Sequence, residues 1–205
     1  MWTLGLLLLC YLLGAFPTGY LLVKREKGID IRTIGSGGTG ATNVYRAIGL
    51  KGALIVMFFD IFKGVAAVYL AYLAVVPAFL IPAVKLGFGL ACVIGHNWPI
   101  FLGFKGGKGV ACSCGVLFAL APETMSMVFL LWLAILAITG YTSLASLTAA
   151  FSMPLMMYFY GDGMVNICFS VVLAVLVVFR HRDNIKRLMN GEEQPIIRRF
   201  FGNKG

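Results

Sequence analysis

Apolar residues in this chain form runs that show neither the alternation of a strand nor the one-sided stripe of a surface helix. Windows of about 20 residues stay almost wholly apolar over roughly 2–23, 52–76 and 79–98, the length that crosses the hydrocarbon of a bilayer. After FKGGKG the apolar pattern resumes at Val110 and continues to Phe179. Pro122-Glu123, Thr139 to Thr142 and Gly161-Asp162-Gly163 divide that stretch into four pieces. The first piece, 109–121, is short for a complete span. The pattern predicts an all-α integral membrane protein, a multi-pass helical bundle with about seven transmembrane helices. It reads as one membrane-embedded domain, 1–205, with polar segments at about 32–50, 95–110 and 180–194.

Composition agrees with that reading. The chain is 60% hydrophobic and only 12% charged, where a soluble domain is about 25% charged. The first span has no charged region before its apolar run and no evident cleavage site, so it reads as a retained helix. Cys10, Cys92, Cys112, Cys114 and Cys168 all lie in apolar runs, without zinc spacing. Neither a disulfide framework nor a metal site is expected.

Charge supplies an orientation. Of the 17 basic residues, 15 fall in three clusters, Lys24 to Lys51, Lys105 to Lys108 and Arg180 to Lys204. Intervening turns carry Glu123 and Asp162. The excess of basic residues on cytoplasmic segments then predicts an N-terminus outside, a C-terminus inside and all three clusters in the cytoplasm. The net charge of +9 needs no nucleic-acid partner. Asp60 and Lys63 lie inside the second span, three residues apart on one helix face. A mutual ion pair facing the bundle is the simpler explanation for them, although ionisable residues within a span point first to function. Lys85, near the outer end of the third span, can snorkel.

The first polar segment contains GSGGTGATNVYR, Gly35 to Arg46, whose opening spells G-x-G-x-x-G. A dinucleotide-binding turn needs a preceding strand and an acid about 20 residues on. Here a membrane span precedes it, and the acid at that distance, Asp60, falls inside another span. The glycines at 35, 37, 38 and 40 instead allow successive N–H groups to turn toward one point, as in an anion cradle. Ser36, Thr39, Thr42 and Asn43 add donors, and Arg46 follows about one turn past Thr42. A helix starting near Thr42 would add its own N–H groups. The alternative is a flexible loop with a topology-setting arginine.

The second segment, GHNWPIFLGFKGGKG, sets Lys105 and Lys108 around Gly106 and Gly107. It is not a Walker A loop, because Gly109 stands where the magnesium-binding Ser or Thr would be. His96 reads as an interfacial or structural residue before a base. In the third segment, RHRDNIKRL, His181, Asn184 and Leu188 share one helical face. Taken together, the three cationic, donor-rich segments suit a substrate bearing more than one phosphate group.

The stretches GSGGTGATNVYRAIG, GHNWPIFLGFKGGKGVA and HRDNIKRLMNGEE strongly resemble the three motifs of the bacterial acyl-phosphate:glycerol-3-phosphate acyltransferases, the PlsY family. The resemblance runs from the first span to about Glu193. The chain departs from it at Gly38-Thr39, where members commonly carry Asn-Pro or Asn and a small residue. It implies an enzyme of the bacterial inner membrane, its site facing the cytoplasm. The implied reaction passes a fatty acyl group from acyl phosphate to the 1-hydroxyl of glycerol 3-phosphate, forming lysophosphatidic acid without an acyl-enzyme.

On that reading Ser36, Arg46, Lys105, His181 and Asn184 carry the chemistry. Ser36, neighbouring N–H groups and Lys105 hold a phosphate and the developing oxyanion, while Arg46, Lys105, His181 and Asn184 fix glycerol phosphate. Gly35, Gly37, Gly38, Thr42, Asn43, Gly106, Gly107, Lys108, His96 and Ser143 complete the substrate-binding set. His181 and a substrate phosphate stand as equal candidates for the proton acceptor. The expected partners are the two substrates and membrane lipid, with no cofactor or metal, and a bundle of this size can work as a monomer. The rival readings are a transporter for phosphorylated solutes, a lipid-binding scaffold, and an acyltransferase using thioesters. No internal repeat supports the first, the dense glycine motifs argue against the second, and no His-x4-Asp signature supports the third.

Overall fold

The computed structural model describes residues 1–196. Arg198, Arg199 and Lys204 of the third basic cluster lie outside the described residues. The chain forms two compact units, Met1–Pro122 and Glu123 onward.

The first unit holds α1 (Trp2–Ala15), α2 (Thr18–Lys27), α3 (Ala41–Leu70), α4 (Ile81–Asn97) and α5 (Val110–Leu120). Pro17 separates α1 from α2, since its ring cannot continue the hydrogen-bond ladder. Gly28, at φ 72°, ends α2, and its N–H donates to the Lys24 carbonyl. Gly49 (φ 80°, ψ −169°) interrupts α3, so the short helix at the end of the glycine motif is distinct from the apolar run that follows. That run, 50–70, is about 31 Å long, which matches a hydrocarbon core of about 30 Å.

Close approach holds this unit together. α1 lies along α4, and α3 along α5. A Cβ on Gly14 would sit 2.9 Å from Cys92 Cα, and one on Gly95 would sit 2.9 Å from the Ala15 nitrogen. Across the other pair, a Cβ on Gly64 would lie 2.8 Å from the Val116 nitrogen, and one on Gly115 would lie 3.0 Å from Ile61 Cα. In lipid, where apolar side chains gain little by leaving one apolar medium for another, small residues that let backbones touch drive helix association.

The second unit contains α6 (Pro122–Thr139), α7 (Thr142–Tyr160), α8 (Met164–Arg180) and α9 (Arg182–Met189). The three breaks that open it fall at the Pro, Gly and polar clusters that the pattern predicts. Trp132 Nε1 donates to Ser146 Oγ at 3.2 Å, linking α6 to α7. Thr124 Oγ1 donates to Asp162 Oδ2 at 2.5 Å, tying the start of α6 to the α7–α8 turn.

The expectation of about seven crossings is not met. Among the described residues four helical stretches are long and apolar enough to cross: Trp2–Lys27, Ala41–Leu73, Ala78–Leu102 and Pro122–Thr139. A fifth is reached only by joining α8 to α9 across a 62° bend. The reason for α5 is length, since its 11 residues reach only about 17 Å. α7 has 19 residues, but Ser, Thr, Tyr and Pro154 dilute its apolar character. The parity argument that set the N-terminus outside and the C-terminus inside depends on seven crossings and falls with them.

Candidate active site

In the first unit the glycine motif is a folded turn, pinned from within. Asn43 is 2% exposed. Its Nδ2 lies 3.1, 3.1 and 2.9 Å from the carbonyls of Ile31, Ile34 and Gly38, which share its two N–H donors. Its Oδ1 accepts from the Ser36 N–H at 3.2 Å. Gly35 and Gly37 adopt φ of 55° and 68°, a region closed to most side chains. Beneath the turn, Val23, Ile31, Val44 and Val56 form a buried apolar cluster. α3 begins at Ala41 with Gly40 as its cap, close to the helix start expected at Thr42. Asn43 thus shapes the loop with both ends of its amide and turns inward, as does buried Thr39. Ser36 and Arg46 have exposed side chains. A Cβ on Gly35 would lie 3.5 Å from Arg46 Cδ, so the Arg46 stem runs beside the turn.

Arg32 joins this turn to the second motif. Its guanidinium grips Asp30 through Nε and a terminal nitrogen at 2.7–3.1 Å, and its other terminal nitrogen donates to the Leu102 carbonyl at 3.0 Å. Hydrogen bonds from the Arg32 side chain, and then from its backbone N–H, lower the Asp30 carboxyl to about 2. The sequence pattern counts Arg32 only as a topology charge, because a partner 70 residues away leaves no local trace.

The second motif folds back on the end of α4. The Gly107 N–H donates to the His96 carbonyl at 3.1 Å. Gly106 fits between that carbonyl and Pro99, whose Cγ would be 2.9 Å from an added Cβ. Lys105 is exposed and Lys108 half-buried on either side of the two glycines. His96 is 7% exposed, with its Nδ1 3.5 Å from Asp60 Oδ1. It therefore sits under the loop, against Gly107. A small cavity between the two motifs is lined by Phe16, Pro17, Thr39, Asp60, Lys63 and His96, among others. Cys112 and Cys114 are buried in α5.

In the second unit the third motif converges on Glu193. Glu193 Oε1 accepts from Ser143 Oγ at 2.9 Å and from Asn184 Nδ2 at 2.6 Å, and its Oε2 accepts from Arg187 Nε at 2.7 Å. Burial raises the Glu193 carboxyl, but hydrogen bonds from Arg187, Asn184 and Ser143 outweigh it and bring it below its ordinary value. His181 is 3% exposed, at the bend between α8 and α9, with Nδ1 2.8 Å from the Val177 carbonyl. A carbonyl only accepts, so Nδ1 donates, and in the neutral ring Nε2 is the acceptor nitrogen. Glu193 is the residue that the sequence reading of the site omits. Its signal is faint: a carboxylate nine residues past Asn184, in a polar tail where an acid looks like ordinary solvated charge.

The glycerol-3-phosphate acyltransferase family profile matches residues 4–191. The glycerol-3-phosphate acyltransferase of Desulforudis audaxviator is 44% identical over 185 residues, covering 90% of this chain and 91% of the relative. That of Aquifex aeolicus is 45% identical over 192 residues, covering 93% and 97%. A crystal structure of PlsY, an integral membrane glycerol 3-phosphate acyltransferase in its glycerol 3-phosphate form, superposes with a TM-score of 0.86 at 40% identity. It covers 95% of this chain and 96% of its own. By profile match, identity and superposition over nearly its whole length, the chain belongs to the glycerol-3-phosphate acyltransferase family, the PlsY enzymes of the bacterial inner membrane.

Proposed function

We propose that the two loops of the first unit hold phosphate groups for one reaction, the transfer of a fatty acyl group from acyl phosphate to the 1-hydroxyl of glycerol 3-phosphate. That transfer, giving lysophosphatidic acid and phosphate, is the activity of the family. The observation that carries the residue assignment is the pinning of both loops from inside, by Asn43 and Arg32, with Ser36, Arg46 and Lys105 exposed.

Acyl phosphate is a mixed anhydride, already activated. The hydroxyl oxygen bonds to the carbonyl carbon, the bond from that carbon to the phosphate oxygen breaks, and the hydroxyl proton leaves with the phosphate. What remains for the protein is alignment of two anions and stabilisation of the charge that develops on the carbonyl oxygen. The Ser36 hydroxyl and Lys105 serve the acyl phosphate and its oxyanion, with charge-assisted bonds the stronger of these. Arg46 serves glycerol 3-phosphate. Gly35, Gly37, Gly38, Thr42, Gly106, Gly107 and Lys108 form the frame around these groups, and Asn43 shapes it.

In the second unit, a His181 ring that donates through Nδ1 to the Val177 carbonyl can accept at Nε2. Asn184 and Ser143 act through the carboxylate of Glu193, which fixes their donors. Replacing Arg46 or Lys105 by Ala removes a charge-assisted hydrogen bond, so kcat/KM for lysophosphatidic acid formation falls by roughly 10- to 100-fold in each. Wild-type kcat/KM in both variants would overturn the assignment.

A further inference from the structure

Asp60 and Lys63 lie one turn apart in α3 with side chains 3% and 5% exposed, and Lys63 Nζ is 2.7 Å from Asp60 Oδ1. The ammonium also donates to the carbonyls of Gly14 and Phe16 at 3.2 and 3.1 Å, where the helix break at Pro17 frees backbone acceptors. These contacts explain a structural ion pair. They do not explain why the same carboxylate oxygen faces His96 Nδ1, nor what lies on the other side of that ring. There Gly107 is packed so closely that an added Cβ would overlap Nε2 and come within 2.8 and 2.9 Å of the ring carbons Cδ2 and Cε1. The Gly107 N–H is bonded to the His96 carbonyl as well. One carboxylate, one imidazole and one glycine turn therefore form a continuous stack, from the interior of α3 to the backbone between Lys105 and Lys108.

We propose that Asp60 is a positioning residue for acyl transfer, holding the imidazole of His96 as the platform that sets the Gly106–Gly107 turn and so the aim of Lys105 and Lys108. The carboxylate fixes the ring with Nδ1 protonated. Lys63 neutralises the carboxylate and anchors it to the broken first helix, so its role is support. The inference rests on the reading of the KGGK loop as a phosphate site. It adds a chain of command from inside the membrane domain to that loop, through a histidine that is 7% exposed.

The test uses the purified full chain in detergent. The chain has only two histidines, so 15N-histidine spectra of wild type and His181→Gln assign His96. The expected wild-type ring carries a proton on Nδ1, facing Asp60; a ring with bare Nδ1 would overturn the proposal whatever the variants do. Asp60→Asn alone leaves Lys63 buried without its counter-charge. The informative variant is therefore Asp60→Asn with Lys63→Met, a neutral pair of similar size.

Its thermal midpoint is expected to fall modestly, because the Gly14 and Phe16 carbonyls lose the Lys63 donor, and activity is therefore read well below that midpoint. The KM for whichever phosphate substrate the loop holds should rise roughly tenfold or more, kcat should change less, and the His96 resonances should show mixed tautomers. A folded double variant with wild-type KM for both substrates would show that the ion pair is structural only. A wild-type protein that makes no lysophosphatidic acid would instead sink the phosphate-site reading, and the tautomer measurement stands apart from that result.

Discussion

Alanine at Gly107 is a small change with a large expected effect. Its methyl group would overlap His96 Nε2 and approach the ring carbons to 2.8 and 2.9 Å, whereas carbon contacts settle at about 3.5–4.0 Å. Either the loop or the ring must therefore give by about 1 Å. The ring is held between α4 and Asp60, so the loop moves and carries Lys105 and Lys108 with it. A misplacement of about 1 Å in a positioning group costs about 100-fold in rate, equivalent to about 2.7 kcal/mol. Gly5→Ala, in α1, is the control. Gly5 lies outside the positive-φ region, and an added Cβ meets nothing within 4 Å, so its activity should stay within about twofold. The assay is steady-state formation of lysophosphatidic acid with both substrates varied. Gly107→Ala at wild-type kcat/KM, or Gly5→Ala impaired as severely, would overturn this prediction.

Gly115→Ala pushes α5 against the Ile61 backbone and should cost about 1–3 kcal/mol of stability, read as a lower thermal midpoint. Gly87→Ala, with open space around its Cβ, should leave that midpoint unchanged or raise it. Arg32→Lys cannot keep the two-nitrogen grip on Asp30 together with the bond to Leu102, and KM for a phosphate substrate should rise several-fold. Glu193→Gln loses the bond from Arg187, whose side chain is 37% exposed, at a cost of about 1 kcal/mol at neutral pH. The Glu193 carboxyl is held below its ordinary value, so its contribution is complete above the unfolded value of about 4.3 and is lost as pH falls through the lower folded value. A midpoint measured from pH 7 downward should show that acid loss in wild type and lack it in Glu193→Gln.

The helix breaks of the second unit are legible because Pro122, Gly140 and Gly161-Asp162-Gly163 interrupt the apolar run locally. So is the start of α3, where glycine gives way to Ala-Thr-Asn. The kink at Gly49 is not, because it lies beside an otherwise unbroken apolar pattern and depends on one backbone torsion. The number of crossings is overcounted because apolar character persists through α5, while length, which decides crossing, depends on where the 3.6-residue ladder ends.

At the site, residue types are visible but directions are not. Asn43 reads as a substrate donor from its place in the motif, and it turns inward because three loop carbonyls need its amide. The Asp60–Lys63 pair is readable from spacing of three on a helix. Its extension to His96, 36 residues on, is a tertiary fact. Glu193 escapes for the same reason, since Ser143 lies 50 residues upstream of it.

The most direct test of the central claim is the identity of the acyl donor. Purified protein would be given glycerol 3-phosphate with palmitoyl phosphate and, separately, with palmitoyl-CoA, while lysophosphatidic acid and released phosphate are measured. Equal amounts of lysophosphatidic acid and phosphate are expected from the acyl phosphate, and none from the thioester. Product from the thioester alone, or from neither donor, would contradict that claim.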